Sequence, residues 1–557
     1  MTQNIRYSVD GDGIAILLID VADRPMNVLT PGFRKDLAEC VDKVASDPAI
    51  RGAVIGSAKS SFMAGADIKD MAGAFERGLS ASEAAKFSGE LNGLLRRLET
   101  CGKPFAAAVN GVALGGGFEV ALACHYRVMS DDPKAGVGFP EVKIGLLPGA
   151  GGTQRTPRMI GVTEALRLIS EGRQIGPQDA LKKGLVNEIA PATELVERAR
   201  QWILKGGKGV QPWDVKGFRV PGGAGMASPA AAQTFMVGTA LAAKMTMRNY
   251  PAPAAILSCV YEGTLLPMDA ALAVESKYFG QLLSGNVARN LMRTMFINKG
   301  LADKLARRPA GPPKSQVRKL GILGSGMMGA GVAYVSALAG IDVVLLDSTR
   351  ELAEKGKDYS NKLLAKDVGR GKKTQADADA VLARIKPTAS YDDLAGCDLV
   401  VEAVFENREI KADVTQKAEA VIPKNAVFAS NTSTLPITGL AQASKRPAQF
   451  IGIHFFSPVD KMPLVEIIVG KKTSDDTLAR ALDYVAQLRK TPIVVNDSRG
   501  FYTSRCFGTY TAEGAKMLSE GIDPQLIESA GRLAGMPVGP LAVSDEVSLE
   551  LAYKVMQ

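Results

Sequence analysis

The sequence feature that most constrains the fold is a glycine cluster between a predicted strand and a predicted helix. The apolar run Val317–Leu323 is typical of a strand, and it leads into residues 324–329 (GSGMMG), which open a helical pattern. A second predicted strand, Asp342–Leu346, is followed by Asp347, which lies 23 residues after Gly324. Together these features form a dinucleotide-binding fingerprint. We expect the glycines to admit a pyrophosphate and Asp347 to bind the adenosine ribose, which favours NAD over NADP.

The bulk composition predicts an ordinary globular protein of several domains. The chain has 557 residues, of which 46% are hydrophobic and 22% are charged, so two to four domains are expected. The net charge of +9 favours anionic partners in general. No block of lysine and arginine typical of nucleic-acid binding occurs. The charge therefore indicates a solvated surface, with a smaller share serving substrate phosphates.

The cysteines and the apolar runs predict a cytoplasmic setting. The six cysteines are scattered with no CxxC pair, which argues against a disulfide framework and a structural zinc site, so we expect no bound metal. The N-terminus shows no apolar signal segment, and no uninterrupted apolar stretch is long enough to span a bilayer. We therefore expect a soluble protein in a reducing, cytoplasmic environment.

The pattern along the chain divides into four expected regions, which give an α/β multidomain fold class. Residues 1–190 alternate short apolar runs with amphipathic helical stretches, as α/β domains do. Residues 191–310 form a connector, which begins with a Gly- and Pro-rich irregular part and continues as a helical pattern. Residues 315–496 contain the fingerprint and are expected to form a Rossmann domain. Residues 497–557 read as helical to the end.

Three segments of the first region carry residues suited to acyl chemistry: 62–69 (FMAGADIK), 110–119 (NGVALGGGFE) and 139–153 (FPEVKIGLLPGAGGT). A glycine triplet at a helix start exposes backbone N–H groups, which favour the negative charge that hydration builds on a thioester oxygen. Taken alone, the triplet equally fits a tight turn for helix packing. Glu119 and Glu141 form a candidate pair, since two neighbouring carboxyl groups can hold a water, one as base and one as proton donor.

These three segments together resemble the crotonase (enoyl-CoA hydratase/isomerase) superfamily over residues 10–190, through AGADIK, NGxxxGGGxE and PExxxGxxPGxGGT. The resemblance implies a ββα spiral fold and an oxyanion hole formed by the N–H groups of Ala66 and Gly116. It also implies that Glu119 activates the water and that Glu141 donates a proton to C2, with the division of roles left open. Both glutamates favour hydration, and isomerase or 3-hydroxyacyl-CoA epimerase reactions are the alternatives.

A histidine in the third region is suited to removing the proton of an alcohol. His454 lies in the apolar run 451–456 (IGIHFF), and Glu466 follows twelve residues later. Such a histidine is often a core residue, but beside a dinucleotide fingerprint it is a candidate base, because alcohol oxidation removes a proton as hydride leaves. Glu466 is placed to fix the tautomer and stabilise the imidazolium, as the aspartate of a catalytic triad does.

Residues 316–557 resemble the 3-hydroxyacyl-CoA dehydrogenase family through the motifs GxGxMG, VVEAVFE, SNTS and HFFxP. The resemblance implies NAD as cofactor, an all-α C-terminal dehydrogenase domain, and His454 as base with Glu466 as its partner. It implies that the Ser433 hydroxyl positions the substrate oxygen and that Glu402 lies near the nicotinamide. The residues expected to bind the cofactor are Gly324, Gly326, Met327, Met328, Gly329, Asp347 and Glu402.

Two departures from the dehydrogenase pattern bear on activity. The family motif GFxxNR reads GFYTSR here, so Ser504 replaces an asparagine, and a substrate or nicotinamide contact is expected to be weakened or remade. The helical part also ends before that of longer relatives, so the C-terminal domain is expected to be incomplete. The alternative for this half is an inactive scaffold that docks a thiolase.

The order of crotonase unit, connector and dehydrogenase resembles the α-subunits of bacterial fatty-acid oxidation complexes. The resemblance implies hydration of 2-trans-enoyl-CoA to L-3-hydroxyacyl-CoA, and then oxidation to 3-ketoacyl-CoA, as in fatty-acid β-oxidation. It implies acyl-CoA thioesters as substrates and a thiolase β-subunit as partner, with no nucleic acid. It further implies that a helical stretch near 275–305 packs on the crotonase unit. Acyl chain length and oligomeric state are not fixed by the sequence.

Overall fold

The computed structural model of the chain describes residues 4–76 and 78–547 and divides into two compact units, Met1–Ile297 and Asn298–Gln557. Each unit has its own hydrophobic core, as independent domains do. Within the described ranges, no helix combines the length and the apolar composition needed to cross a bilayer.

The first unit is built on two sheets. Its strands are β1 Ile5–Val9, β2 Ile14–Ile19, β3 Gly52–Ser57, β4 Phe105–Val109, β5 Val112–Leu114, β6 Tyr126–Ser130, β7 Gly136–Gly138, β8 Gln174–Ile175 and β9 Glu188–Ala190. One sheet has the order β1-β2-β3-β4-β6-β9 and is parallel except for the β1–β2 pair. The other has the order β5-β7-β8. Strand β4 is buried at every position, as a central parallel strand requires.

Helices surround these sheets and continue into the connector. They are α1 Pro31–Ser46, α2 Ile68–Glu76, α3 Ala81–Thr100, α4 Gly116–Ala123, α5 Gly152–Ile160, α6 Val162–Glu171, α7 Pro177–Lys183, α8 Leu195–Leu204, α9 Pro229–Thr246, α10 Pro251–Thr264, α11 Met268–Leu283 and α12 Asn286–Leu291. Short 3₁₀ turns span Pro140–Ile144 and Pro212–Asp214, and a π-helical turn spans Met292–Asn298. Helix α11 packs along α3, so the connector completes the core of the first unit.

The second unit is a doubly wound α/β sheet followed by helices. Its elements are α13 Lys299–Asp303, β10 Lys319–Leu323, α14 Met327–Leu338, β11 Asp342–Leu346, α15 Arg350–Gly369, α16 Gln375–Ala383, β12 Ile385–Thr388, β13 Leu399–Glu402, α17 Arg408–Glu419, β14 Val427–Ser430, α18 Ile437–Leu440, β15 Phe450–Phe455, β16 Leu464–Val469, α19 Asp475–Gln487, β17 Thr491–Asn496, α20 Thr503–Ser519, α21 Pro524–Leu533 and α22 Pro540–Val547. Short 3₁₀ turns span Tyr391–Leu394, Ala441–Ala443 and Pro447–Gln449.

The strand order of this sheet confirms the expected Rossmann topology. The order is β12-β11-β10-β13-β14-β15-β16-β17, and its first six strands are parallel. The order reverses between β10 and β13, at the switch point where such sheets bind ligands beyond the carboxyl ends of the strands. Apolar side chains fill both faces of the sheet in two separate clusters, because helices cover both faces.

Candidate active sites

The first candidate site lies where the start of α4 meets the loop that precedes α2. The loop joins the small sheet through a bridge between Met63 and Ala113, and a Cβ on Gly65 would lie 3.7 Å from the Gly116 nitrogen. Among the described residues, the N–H groups of Ala66 and Gly116 donate to no protein acceptor. The structure thus brings the two expected oxyanion donors into one neighbourhood and leaves both N–H groups available.

The carboxylate of Glu119 is buried in the first turn of α4 and is held through one of its oxygens. The side chain is 2% exposed, and Oε1 accepts hydrogen bonds of 2.7 Å from the N–H groups of both Ala150 and Gly152. The other oxygen lies 3.7 Å from the point that a Cβ on Gly116 would occupy. The carboxylate is therefore fixed on one side and directed toward the oxyanion donors on the other.

Glu141 approaches the same place from the 3₁₀ turn. A Cβ on Gly115 would overlap Oε1 of Glu141, and Gly115 has a φ of +53°. Both the lack of space and the backbone conformation therefore require glycine at this position. Oε2 of Glu141 is buried and has no hydrogen-bond partner among the described residues. A buried polar atom without a partner is costly, so this oxygen is free for a polar group of a substrate or a water.

The surroundings raise the pKa values of both carboxyl groups. Burial, then the charges of Glu275 and Glu141, raises the pKa of Glu119 well above its ordinary value. Burial and the Glu275 charge raise the pKa of Glu141 to about 8. Carboxyl groups that cannot all ionise together readily divide into one acid and one base. The pair is therefore suited to adding one proton while removing another.

Sequence reasoning missed the third carboxylate of this site, Glu275 on α11. Its side chain is fully buried and accepts hydrogen bonds from Gly151 and Thr153, which neighbour the residues that hold Glu119. It lies more than 120 residues away from these partners in the sequence. The sequence pattern places it on an ordinary helix, and no local motif marks it.

The second unit presents a glycine turn at the switch point of its sheet. Gly324 has a φ of +94°, and a Cβ there would lie 2.7 Å from the Ala403 carbonyl oxygen. A Cβ on Gly329 would overlap the Gly324 carbonyl, so the start of α14 packs tightly against the turn. Around Gly326, in contrast, the space is open. The twelve-residue α14 begins here and directs free N–H groups outward, as the pyrophosphate of a dinucleotide requires.

The remaining residues of the fingerprint lie around this turn. Asp347 Oδ2 accepts hydrogen bonds from the Ser325 N–H at 2.7 Å and the Ser325 hydroxyl at 2.6 Å. Burial alone would raise the pKa of Asp347, but these hydrogen bonds lower it, so the group is ionised. Met327 is exposed at the first position of α14, and Met328 packs partly against the core. These residues fit a bound NAD.

Glu402, which the resemblance places in the segment near the nicotinamide, has partners inside the unit. It is 1% exposed, lies 2.8 Å from the Lys411 ammonium, and accepts a hydrogen bond from Ser430. Glu402 thus has the charged and hydrogen-bonding partners that a buried carboxylate needs. Its role is an ion pair inside the unit. The more exposed carboxylate here is Glu406, which lies 3.1 Å from the same ammonium and which the sequence did not single out.

His454 and Glu466 form a hydrogen-bonded dyad. Nδ1 of His454 lies 2.7 Å from Oε2 of Glu466, and this contact leaves Nε2 as the free ring nitrogen. Glu466 is fully buried and also accepts hydrogen bonds from the N–H and the hydroxyl of Thr503. Burial raises the pKa of Glu466, but the hydrogen bonds from His454 and Thr503 outweigh it and lower the pKa.

The two serines expected near the substrate lie together. The Ser504 hydroxyl, at the start of α20, donates to the Ser433 carbonyl at 3.1 Å. The Ser433 segment is tied to β15, because Asn431 Oδ1 accepts from the Phe455 N–H at 2.9 Å, one residue from His454. The structure therefore brings Ser433, Ser504 and the dyad into one region, and Asn431 is a contributor that the sequence did not reveal.

These observations define the class of the protein: a crotonase-like unit joined to a Rossmann dehydrogenase unit with a helical C-terminal part. Residues 12–208 match the family enoyl-CoA hydratase/isomerase. Residues 319–498 match the NAD binding domain of 3-hydroxyacyl-CoA dehydrogenase, and residues 500–557 match its C-terminal domain.

Comparison with whole proteins gives the family. The fatty acid oxidation complex subunit alpha of Shewanella putrefaciens is 40% identical over 98% of this chain and 76% of its own length. That of Shewanella frigidimarina is 39% identical over the same shares. The chain belongs to the family of fatty acid oxidation complex alpha subunits. It is a bifunctional enzyme of fatty-acid β-oxidation, an enoyl-CoA hydratase and an NAD-dependent 3-hydroxyacyl-CoA dehydrogenase.

Solved structures similar to part of this chain include two dehydrogenases. (S)-3-hydroxybutyryl-CoA dehydrogenase from Ralstonia eutropha is 39% identical, with a TM-score of 0.42 over 43% of this chain and 86% of that chain. 3-Hydroxybutyryl-CoA dehydrogenase from Escherichia coli is 32% identical, with a TM-score of 0.42 over 43% of this chain and 52% of that chain.

Proposed function

We propose that hydration takes place between Glu119 and Glu141, with the thioester oxygen of 2-trans-enoyl-CoA held by the N–H groups of Ala66 and Gly116. Ionised Glu119 takes a proton from water as the water oxygen bonds to C3, and the double-bond electrons move toward the thioester oxygen. Glu141 then delivers a proton to C2, which gives L-3-hydroxyacyl-CoA. The proton held by Glu119 restores Glu141, so the product gains the atoms of one water.

One observation carries this proposal: two buried carboxyl groups converge on two available backbone donors. Each donor aimed at the developing oxyanion contributes about 3 kcal/mol to transition-state stabilisation. The hydrogen bonds from Ala150 and Gly152 hold one oxygen of Glu119, which keeps the other oxygen directed at the site. The unpartnered Oε2 of Glu141 supports its role as the group that meets the substrate or water.

In the second unit, we assign His454 as the base that takes the hydroxyl proton of L-3-hydroxyacyl-CoA at Nε2. Glu466 fixes the tautomer that leaves Nε2 free and stabilises the imidazolium that forms. The Ser433 hydroxyl orients the substrate oxygen, and Ser504 holds the Ser433 segment. Gly324, Gly326, Gly329 and Asp347 would hold NAD, which would supply the hydride acceptor for oxidation at C3. The product is 3-ketoacyl-CoA.

The setting of the enzyme completes the proposal. The relatives are named as subunits of a complex, so we propose a thiolase β-subunit as the partner, which would consume the 3-ketoacyl-CoA. We place the chain in the cytoplasm, since all six cysteines are free. We also keep the boundaries proposed from the sequence: the crotonase-like unit at 1–190, the connector at 191–310, the NAD-binding domain at 315–496 and the helical domain from 497.

Two assays with the whole chain test these roles. Loss of enoyl absorbance with crotonyl-CoA measures hydration, and Glu141→Gln should remove it. NADH formation from L-3-hydroxybutyryl-CoA measures the second reaction, and His454→Ala should abolish it. Each variant should retain the activity of the unmutated unit, which controls for the amount of protein assayed, and thermal unfolding checks that the mutated unit is folded. Hydration retained in Glu141→Gln would refute the first assignment, and absence of NADH formation in the unmodified chain would favour the scaffold alternative.

A further inference from the structure

A buried polar cluster outside the catalytic pair lies beside the hydratase site. Its centre is Glu275, which α11 carries in from the connector and which is fully buried. Oε1 accepts from the Gly151 N–H at 2.5 Å and the Asn92 amide at 3.2 Å. Oε2 accepts from the N–H of Thr153 at 2.9 Å and from the hydroxyl of the same residue. Four donors on one carboxylate indicate a built site, because burying a carboxylate without partners is costly.

The turn that Glu275 holds is the turn that also holds Glu119. Along residues 150–153 the backbone N–H groups alternate between two acceptors. Those of Ala150 and Gly152 donate to Glu119, and those of Gly151 and Thr153 donate to Glu275. The turn is thus hydrogen-bonded to both carboxylates. Moving one carboxylate would therefore move the N–H groups that hold the other.

Additional hydrogen bonds anchor the same turn to α3. The Ser88 hydroxyl donates to the Gly149 carbonyl at 2.6 Å, and it lies 3.0 Å from the Ser276 hydroxyl. The contact between α3 and α11 is therefore polar where it passes the turn. Apolar packing alone would not require this arrangement, so the polar residues indicate a role in positioning.

The charge of Glu275 also acts on the site. The neighbouring Arg155 is paired with Glu99, at 2.7 and 2.9 Å. Burial raises the pKa of Glu275, and the positive charge of Arg155 lowers it by a smaller amount. After burial, Glu275 is the largest cause that raises the pKa of Glu119. The titratable groups that face Glu275 are Glu119 from α4, Glu141 from the 3₁₀ turn, Arg155 and Arg158 from α5, and Cys259 from α10.

We propose that Glu275 is a positioning residue of the hydration reaction, which fixes the turn 150–153 and through it the orientation of Glu119. The inference rests on the proposed role of Glu119 as the water-activating base. Glu275 is not a catalytic residue in this scheme, since both of its oxygens are bound to protein donors. It follows from this proposal that helix α11 of the connector, which lies outside the crotonase motifs, is needed for a fully active hydratase site.

The variant Glu275→Gln in the whole chain tests the proposal. Glutamine keeps the volume, but its single carbonyl oxygen cannot accept from both Gly151 and Thr153. We expect kcat for crotonyl-CoA hydration to fall on the order of 10- to 100-fold with little change in KM, as misplacement of a catalytic group produces. The acidic limb of the kcat profile should move to lower pH, because a charge that disfavours ionised Glu119 is gone.

Glu262→Gln is the matched control, because Glu262 lies on α10 and bonds to Tyr278 away from the turn. It should show wild-type kcat and pH profile. Dehydrogenase activity in each preparation reports on the second unit, and thermal unfolding reports on the first. If thermal unfolding shows that Glu275→Gln loses the first unit, Thr153→Val is measured instead, since it keeps Glu275 but removes the hydroxyl bond to it, together with the contacts of the hydroxyl to Gln154 and Cys259. Its kcat should also fall, because the turn loses one of its hydrogen bonds to Glu275.

The outcomes separate this inference from the function on which it rests. Wild-type kcat and pH profile in Glu275→Gln, or in Thr153→Val where the first variant unfolds, would overturn the inference. Glu119→Gln is run beside them. Hydration retained in Glu119→Gln overturns the proposed role of Glu119 itself, whereas its loss together with wild-type behaviour of Glu275→Gln overturns the positioning role alone.

Discussion

His454 and Glu466 stand directly opposite each other on the antiparallel strands β15 and β16, with Nδ1 and Oε2 2.7 Å apart. The twelve-residue spacing in the sequence brings the two side chains together because the chain turns back between β15 and β16. Thr503, at the start of α20, donates to the same carboxylate through its N–H and its hydroxyl. The helical part of the unit thus holds the carboxylate that orients the histidine.

Replacing Glu466 by glutamine should impair the dehydrogenase strongly. The amide keeps the size but supplies no negative charge to stabilise the imidazolium, so we expect kcat to fall on the order of 10²- to 10⁴-fold. NADH formation from L-3-hydroxybutyryl-CoA measures the change, and hydration of crotonyl-CoA by the same protein should be unaltered. A dehydrogenase rate within a few fold of wild type would contradict the role assigned to the dyad.

The hydratase should lose activity in mildly alkaline solution. Glu141 is assigned as proton donor, and burial with the Glu275 charge raises its pKa to about 8. A donor must be protonated, so kcat should decline as the pH rises through this value. Initial rates of crotonyl-CoA hydration between pH 6 and about 9.5 measure this decline of kcat. A rate that stays constant across this range would show that Glu141 does not act as the acid.

Much of the fold follows from local sequence patterns, and the exceptions have identifiable causes. Strand β11 has the bounds that its apolar run predicts. Strand β10 begins at Lys319, two residues later than predicted, because Val317 bonds to the side chain of Gln487 instead of to a neighbouring strand. An apolar pattern indicates burial, but it does not distinguish strand pairing from a side-chain anchor.

Some residues of the candidate sites could likewise be predicted from local sequence, and others could not. Glu119, Glu141 and His454 lie within compact motifs, so their chemistry could be inferred from neighbouring residues. Glu275 and Lys411 could not be inferred, because each meets its partners through tertiary packing. Their helices show only ordinary amphipathic spacing, and the partners of Glu275 are more than 120 residues distant. Positioning residues of this kind become visible only with coordinates.

Gly115→Ala should abolish hydration while the chain stays folded. The new methyl group would overlap Oε1 of Glu141 and occupy a φ of +53°. We expect a loss of roughly 10²-fold or more in kcat, because displacing a catalytic carboxyl by about 1 Å has this effect. Gly102→Ala is the matched control, since its φ is +81° with no atom within 4 Å of the added Cβ. It adds backbone strain of about 1 kcal/mol but should leave the hydration rate unchanged. Equal rates in the two variants would contradict the arrangement of Glu141.

Lys411→Met should destabilise the second unit much more than Lys417→Met on the same helix. Lys411 is 3% exposed and lies 2.8 Å from Glu402, itself 1% exposed, and 3.1 Å from Glu406. Removing the cation leaves a buried carboxylate without its partner, which costs about 3–5 kcal/mol of unfolding free energy. Lys417 pairs with Asp413 at an exposed position, where such pairs contribute little. Thermal or urea unfolding followed on the dehydrogenase unit compares the two variants. Equal midpoints would mean that Glu402 is protonated or solvated, and the internal role given to it here would then be wrong.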